Sequence, residues 1–243
     1  MTGASTVQLL DVDPALGSGL APVERERARA ALVVRAISRG PGIWRPQDEL
    51  EIDESDLGVL LLEGLMVRDV EILKTTCAEL IGPRDLIRPL VDVNIGAPVP
   101  SDVVWHVLSP VRLALLDRSA AAVVGRWPEL MSALVGRSVG RAQTVALGLA
   151  ISSITGLTLR LLVLLWHLAD RFGTVTPDGV TVPVPLTHET LAHLVGATRP
   201  SVSGAMKELQ NGGQLARRSG APGYVLLGEP PMLRTPVSSA TPA

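Results

Sequence analysis

The stretch from Leu186 to Leu227 constrains the fold of this chain more than any other, because it spaces two short capped helices, a turn and a hairpin in a fixed order. Thr187 precedes an apolar helical pattern, and its hydroxyl can accept a hydrogen bond from the first turn of that helix. Gly196 follows where a left-handed turn residue is needed. Thr198 can cap a second helix, which tolerates Pro200 in its first turn. The spacing predicts helices over 188–195 and from residue 199 onward.

Small and branched apolar residues recur on one face of each of these helices, as in two helices that pack closely. The residues expected to be buried are Leu191, Ala192, Val195, Val202, Ala205 and Leu209. After Gly212 and Gly213, an arginine pair, a glycine turn and the aliphatic run 224–227 predict a hairpin. Two such helices followed by a hairpin make a winged helix-turn-helix, which places its second helix in the major groove of DNA. Double-stranded DNA is therefore the expected partner.

Polar and basic side chains occupy the outward positions of this segment. Arg199 begins the second helix, where a guanidinium can bind O6 and N7 of guanine. Hydroxyl groups and lysine suit contacts with phosphate or base edges. The candidate DNA-binding residues are Thr187, Thr198, Arg199, Ser201, Ser203, Lys207, Arg217 and Arg218. The net charge of the whole chain is −2, so the basic character is local to this segment.

The amino-terminal half has a different character. A helix is predicted from Val23 to Ser38, and from Leu50 to Leu116 short aliphatic runs are separated by glycine and proline. Strands at this spacing predict a small β sandwich or roll, with Gly64 as a hairpin turn. Aromatic residues make up only 2% of the chain, so the core must be aliphatic.

A long helix is predicted after Trp127-Pro128, since proline is tolerated at the start of a helix. Along it, one set of residues recurs with alternating spacings of four and three, as in a coiled-coil seam with one polar exception. These candidate dimerisation residues are Met131, Val135, Ser138, Ala142, Val145 and Leu149. The pattern favours a homodimer, and the alternative is a helix packed only on its own domain.

Together these patterns predict an α+β chain with four parts. Residues 1–116 form an amino-terminal β-roll domain with a helix, and residues 117–154 form linking and dimerisation helices. Residues 155–228 form the winged helix-turn-helix, and residues 229–243 form a tail rich in proline, serine and threonine that is expected to be disordered.

The segment from Thr187 to Leu209, and above all Val195-Gly196-Ala197-Thr198-Arg199-Pro200-Ser201-Val202, resembles the DNA-binding domain of the Crp/Fnr family of bacterial regulators. The order of a β-rich domain, a long helix and a winged helix also resembles that family. The resemblance implies a cyclic-nucleotide-binding-like sensor domain and a homodimer on a palindromic operator, with the recognition helix starting near Arg199. Two features depart from it: Gly204 stands where the family commonly has a second arginine, and Asn211-Gly212-Gly213-Gln214 replaces a single glycine followed by an apolar residue.

The sensor half departs further from the family pattern. Leu80–Leu86 resembles the turn before the family's cyclic-nucleotide cassette, which needs a Gly-Glu pair and an arginine followed by a small residue. Here Arg88-Pro89-Leu90 stands at the corresponding place, and residues 99–107 contain no arginine. The resemblance therefore implies that the domain does not bind cyclic AMP in the usual way, so that any small-molecule effector is unknown.

Other classes of protein are disfavoured by what the sequence lacks. Cys77 is the single cysteine and is expected to be a small buried side chain, and His106 and His167 are expected to be packed residues. We expect no cofactor, no metal and no enzyme activity, because no convergent catalytic or ligating set is visible. The absence of a signal-peptide pattern and the polar breaks within 142–166 predict a cytoplasmic protein without a membrane span.

One alternative function stays open at this point. A winged helix that has lost DNA binding can serve as a protein–protein interaction module, and Gly204 together with the low net charge favours that reading.

Overall fold

The computed structural model describes residues 4–51, 53, 55–90, 99–218 and 220–231. Contacts divide the chain into two compact units, Met1–Ala150 and Ile151–Ala243. The division falls inside the long helix, whereas the boundary expected from the sequence follows residue 154.

The first unit is built on an antiparallel sheet, which has seven strands among the described residues. Five strands form the main path in the order β1-β2-β7-β4-β5, while β3 pairs with β7 and β6 pairs with β4. The strands are β1 (Ala4–Gln8), β2 (Val33–Arg39), β3 (Gly42–Trp44), β4 (Gly58–Ile72), β5 (Thr75–Ile81), β6 (Leu86–Ile87) and β7 (Asp102–Leu116). The α+β fold class with a β-rich amino-terminal domain is therefore confirmed.

Helices pack on one face of this sheet and aliphatic and aromatic side chains fill the other. The helices are α1 (Leu9–Val12), α2 (Pro22–Ala31), α3 (Arg118–Val124) and α4 (Pro128–Ser152), with 3₁₀ turns at Pro14–Gly17 and Pro46–Asp48. Leu60 and Leu116 pack with the helices, whereas Leu61 and Leu115 join the second cluster, because successive residues of a strand point to opposite faces. The central strands β4 and β7 thus contribute to two cores.

The predicted helix from Val23 to Ser38 is wrong in its second half. The helix ends at Ala31, and β2 begins at Val33. Residues 33–39 pair with β1 on one side and β7 on the other, so their backbone hydrogen bonds are made in a sheet. Burial alternates at the start of this strand, which is the period of a strand and not of a helix.

The predicted hairpin at Gly64 is also wrong. Gly64 lies inside β4, where the pairing with β7 changes register around it. Its φ is +85°, and a Cβ there would stand 2.2 Å from the carbonyl oxygen of Pro110, so the bulge requires glycine. The hairpin turn lies instead at Leu73 and Lys74, whose φ angles of 50° and 68° suit a two-residue turn between β4 and β5.

The long helix α4 confirms the prediction of a helix that starts at Pro128. Leu130 and Leu134 are buried on its inner face within the first unit. The preceding helix α3 is capped by Asp117, whose carboxylate accepts hydrogen bonds from the backbone of Ser119 and Ala120. These hydrogen bonds hold the pKa of Asp117 below its usual value.

Where the structure describes it, the second unit combines three helices with an antiparallel sheet of four strands in the order β10-β11-β9-β8. Its elements are α5 (Leu157–Phe172), β8 (Thr174–Thr176), β9 (Gly179–Val182), α6 (His188–Val195), α7 (Arg199–Asn211), β10 (Leu215–Arg217) and β11 (Tyr224–Leu226). The predicted hairpin is present as β10 and β11, and two further strands that the sequence analysis did not identify extend it. Most of the tail 229–243, for which disorder is expected, lies outside the described residues.

No helix within the described ranges is long and apolar enough to cross a membrane.

Candidate nucleic-acid interface

Both predicted helix caps of the helix-turn-helix are present. The Thr187 hydroxyl accepts a hydrogen bond from the backbone N–H of Thr190 at 3.1 Å. The Thr198 hydroxyl accepts one from the backbone N–H of Ser201 at 3.4 Å. Between the helices Gly196 has a φ of 62° in the left-handed region, so the turn has the predicted form. The two threonine hydroxyls therefore have a structural role in starting α6 and α7.

The core beneath these helices is the predicted one. All six predicted core residues are buried, and Met206 joins them. Arg160 of α5 connects that helix to its neighbours, because its guanidinium donates to the carbonyl oxygens of Ile154 and Val195. Packing on α5 and α6 thus positions α7, and the half-buried Arg160 ties α5 to the end of α6.

The exposed face of α7 carries three of the eight predicted DNA-binding residues. Arg199, Ser201 and Lys207 are exposed, and Gly204 has no atom within 4 Å of the position that a Cβ would take. Ser203 differs, since it is half-buried and its hydroxyl donates to the carbonyl oxygen of Arg199 at 3.0 Å. Ser203 therefore serves the start of α7 in addition to any contact with DNA.

The hairpin of β10 and β11 forms the wing, and its two arginines have different environments. Arg217 is exposed at the end of β10, opposite Tyr224 of β11. Arg218 is half-buried and donates to the carbonyl oxygen of Pro222 at 3.0 Å, which ties the two sides of the wing turn together. Arg217 is thus the more available of the two for a ligand.

A cleft of about 650 Å³ opens between the start of α6, the start of α7 and the wing. Its charged and polar lining comes from Thr187, His188, Glu189, Arg199, Arg217 and Arg218. Three guanidinium groups thus face one carboxylate across a concave surface, which favours an anionic ligand. Four of the predicted DNA-binding residues meet here, while Ser201, Ser203 and Lys207 are on α7 and outside the lining.

His188 is a residue of this cleft that the sequence analysis did not identify as functional. Its Nδ1 lies 2.8 Å from the Ser203 hydroxyl and so links α6 to α7. Burial lowers the pKa of His188, and the nearby Arg217 and Arg199 lower it further. The available signal in the sequence was its place directly after the Thr187 cap, at the start of α6.

Five of the six predicted dimerisation residues lie along one exposed side of α4. Val135 is 54% exposed, Val145 48% and Leu149 69%, and Val139 lies beside them at 51%. Ser138 and Ala142 are exposed as well. Met131 instead packs against the core of its own unit. An apolar stripe therefore runs along α4 on a side that the first unit does not cover.

Charged residues occupy a different side of α4, next to Leu130 and Leu134. Arg141 binds both carboxylate oxygens of Glu79 on β5, and Arg137 forms an ion pair with Asp13, which is buried. These two contacts anchor the helix to the sheet domain in addition to the apolar packing.

Two minor predictions for the first unit are wrong. Cys77 is exposed, because it lies on the outward face of the β4–β5 hairpin. His106 is partly exposed on β7 and has its Nε2 3.3 Å from a carboxylate oxygen of Asp69, so it is not enclosed in apolar surroundings.

His167 is half-buried on α5, where burial lowers its pKa. Across the ranges that the structure covers, no group of three or more His, Cys, Asp or Glu side chains could hold a metal ion.

Comparison with known proteins agrees with this geometry. Residues 159–234 match the Crp-like helix-turn-helix domain. Curated relatives from two strains of Mycobacterium tuberculosis, CDC 1551 / Oshkosh and H37Rv, are described as a CRP-like cAMP-activated global transcriptional regulator. They are 30% identical over 135 residues, which is 55% of this chain. The match spans 59% of the length of those relatives.

Solved structures show the same fold over most of the chain. A mutant of CooA from Carboxydothermus hydrogenoformans has a TM-score of 0.61 at 16% identity and covers 88% of this chain and 90% of its own. TTHA1359, a CRP/FNR family transcriptional regulator from Thermus thermophilus, has a TM-score of 0.54 at 20% identity and covers 79% and 93%. None of these relatives supports the alternative of a protein–protein interaction module. Residues 159–234 of the chain therefore match the Crp-like helix-turn-helix domain, and the chain has the fold of solved Crp/Fnr regulators.

Proposed function

We propose that this protein is a sequence-specific DNA-binding transcription regulator that acts as a homodimer. The observation that carries the proposal is the exposed start of α7, where Arg199 stands at the edge of a cleft lined by the wing arginines Arg217 and Arg218. A recognition helix in the major groove presents its first turn to base edges, while a wing beside it reaches the sugar–phosphate backbone.

The outward residues have different roles in this proposal. Arg199 reads a guanine through two hydrogen bonds, which is worth about 1–3 kcal/mol of discrimination against a wrong base. Ser201 and Lys207 contact phosphate or base edges further along α7, and Arg217 neutralises a phosphate beside the wing. Thr187 and Thr198 present their capped helix ends to the backbone, where unpaired N–H groups favour phosphate.

The homodimer is supported by the apolar stripe on α4. Val135, Val139, Val145 and Leu149 are each about half exposed or more, which is costly for a helix in water. The same stripe on a second copy offers a matching surface, and the four–three spacing lets two such helices pack along their length. Two winged helices held in this way would read a palindromic operator.

The effector of the first unit is proposed not to be cyclic AMP bound in the usual way, although the Mycobacterium tuberculosis relatives are described as cAMP-activated. Arginines on the inner side of α4 are engaged by carboxylates: Arg141 by Glu79, and Arg137 by Asp13. A cyclic phosphate would have to compete with these ion pairs for its counter-charge. The sequence pattern around Arg88 lacks the remaining elements of the family cassette.

The function is tested by a gel-shift titration with the promoter region of its own gene, in the presence of competitor DNA. Wild type is expected to bind at physiological salt, and Arg199→Ala is expected to lose about tenfold or more of its preference for that duplex. Arg126→Ala, an exposed arginine of the first unit, is the matched control and should bind like wild type. Equal binding by wild type and Arg199→Ala, with no sequence preference, would contradict specific recognition through Arg199.

A further inference from the structure

His188 connects the two helices of the DNA-binding motif through Ser203. The Ser203 hydroxyl donates to the carbonyl oxygen of Arg199 at 3.0 Å and lies 2.8 Å from Nδ1 of His188. A hydroxyl has one hydrogen to donate, so when it donates to Arg199 its oxygen accepts from His188. Nδ1 of His188 therefore carries a hydrogen, and Nε2 is the ring nitrogen that gains or loses the titrating proton.

The surroundings of His188 are charged, and most of the charge is positive. Arg199 of α7 and Arg217 of β10 face it, Arg218 lines the same cleft from the wing turn, and Glu189 is the single carboxylate of the lining. Tyr224 of β11 also lines the cleft, and burial raises the pKa of its hydroxyl, so it stays neutral. Arg217 and Arg199 thus repel a proton from the imidazole in the free protein.

We propose that this cleft takes a phosphate of the DNA backbone and that His188 binds a proton when it does so, which makes the affinity for DNA rise as the pH falls. The inference rests on the proposed function and adds a regulatory property to it. With Nε2 protonated, His188 contributes a fourth cation to the phosphate site. Its Nδ1 hydrogen still donates to the Ser203 hydroxyl, which in turn donates to the carbonyl oxygen of Arg199 at the start of α7.

The charges around the imidazole ring determine the direction in which DNA affinity changes with pH. In the free protein, burial and the two arginines keep the pKa of His188 below its ordinary value. A phosphate between Arg199 and Arg217 cancels much of their field and favours the imidazolium, so the pKa rises in the complex. At a pH between the pKa of His188 in the free protein and its pKa in the complex, each protomer takes up as much as one proton on binding. The affinity per site then rises by up to about tenfold for each pH unit that the pH falls.

The test is a fluorescence-anisotropy titration of the full chain with a labelled duplex of its own promoter region, at about pH 6 and about pH 8 and at constant ionic strength. Wild type is expected to bind about threefold to tenfold more tightly at the lower pH. His188→Asn retains a donor near the position of Nδ1 but cannot be protonated. It should bind less tightly than wild type at the lower pH and lose the pH dependence. His193→Gln on the same helix, outside the cleft lining, is the matched control and should keep the wild-type profile.

The outcomes separate this inference from the proposed function. Binding by both proteins with the same pH dependence in wild type and His188→Asn would overturn the role of His188 and leave the DNA-binding function standing. A pH dependence that His193→Gln removes and His188→Asn retains would overturn it as well. Absence of duplex binding at every pH would overturn the proposed function and the inference together.

Discussion

Arg141 of the long helix and Glu79 of the sheet are joined by two parallel hydrogen bonds, Nε to Oε1 at 2.7 Å and Nη2 to Oε2 at 2.8 Å. Glu79 also accepts from Arg68 on the neighbouring strand at 3.2 Å, so one carboxylate serves two guanidinium groups. The side chains of Glu79 and Arg141 are only 14% and 20% exposed, which limits screening by water. This ion pair fixes the position of α4 along the sheet within the first unit.

Glu79→Gln is expected to destabilise the first unit by about 2 kcal/mol, because two largely buried arginines lose their shared counter-charge. The measurement is calorimetric unfolding of the full chain. Glu71→Gln, at an exposed position of β4, is the control and should unfold like wild type. Equal unfolding of both variants would show that the ion pair with Glu79 does not stabilise the first unit.

Gly64→Ala is expected to destabilise the first unit by more than about 2 kcal/mol, or to prevent its folding. The new Cβ would meet the carbonyl oxygen of Pro110 at 2.2 Å, and a left-handed backbone adds strain. The same calorimetric measurement applies, with Gly136→Ala as control, since nothing lies within 4 Å of that position on α4. A Gly64→Ala protein as stable as wild type would contradict the bulge at this position.

Gly204→Arg is expected to strengthen DNA binding, because it adds an outward cation to α7 where no atom obstructs it. Its salt dependence should steepen by about one released counterion per protomer. Gly204→Ala separates the charge from the helix effect. It should raise the stability of the second unit by about 1 kcal/mol and leave the salt slope unchanged. A Gly204→Arg protein that binds no better than Gly204→Ala would argue that this face does not approach DNA.

Val145→Asp is expected to convert a dimer into monomers, since it places a charge in the centre of the apolar stripe on α4. Sedimentation equilibrium is the direct measurement. Gln143→Asp, an exposed position on another side of the same helix, controls for the added charge. If wild type is itself monomeric, or if both variants remain dimeric, the stripe is not the dimer interface.

Local signals determined which elements could be predicted. The helices α6 and α7 were predictable at their starts because Thr187, Thr198 and Gly196 set their limits through short-range hydrogen bonds and backbone freedom. Residues 33–38 follow a strong helical segment without a break, and only the long-range pairing with β1 and β7 makes them a strand. Gly64 is a further case, since a glycine between aliphatic runs can mark a turn or a bulge, and the approach of Pro110 decides between them.

The residues of the site that belong to one helix could be predicted from the sequence. The cleft, which forms where several elements meet, could not. Arg199 and Lys207 lie on the outward face that the helical period assigns to them. The cleft depends on the meeting of α6, α7 and the wing, and so His188 gains its role from Ser203 and Arg217, which are distant in the sequence. The β8–β9 hairpin that extends the wing sheet was missed because both strands are short.

The most direct test of DNA binding through α7 and the wing is the salt dependence of duplex affinity for wild type and for the triple variant Arg199→Ala, Arg217→Ala, Arg218→Ala. Each phosphate contact that is lost should flatten the slope of log affinity against log salt by about one. The account predicts a steep slope for wild type and a slope shallower by about two to three per protomer for the variant, with folding retained by calorimetry. Equal slopes for the two proteins, or a wild-type slope near zero, would contradict it.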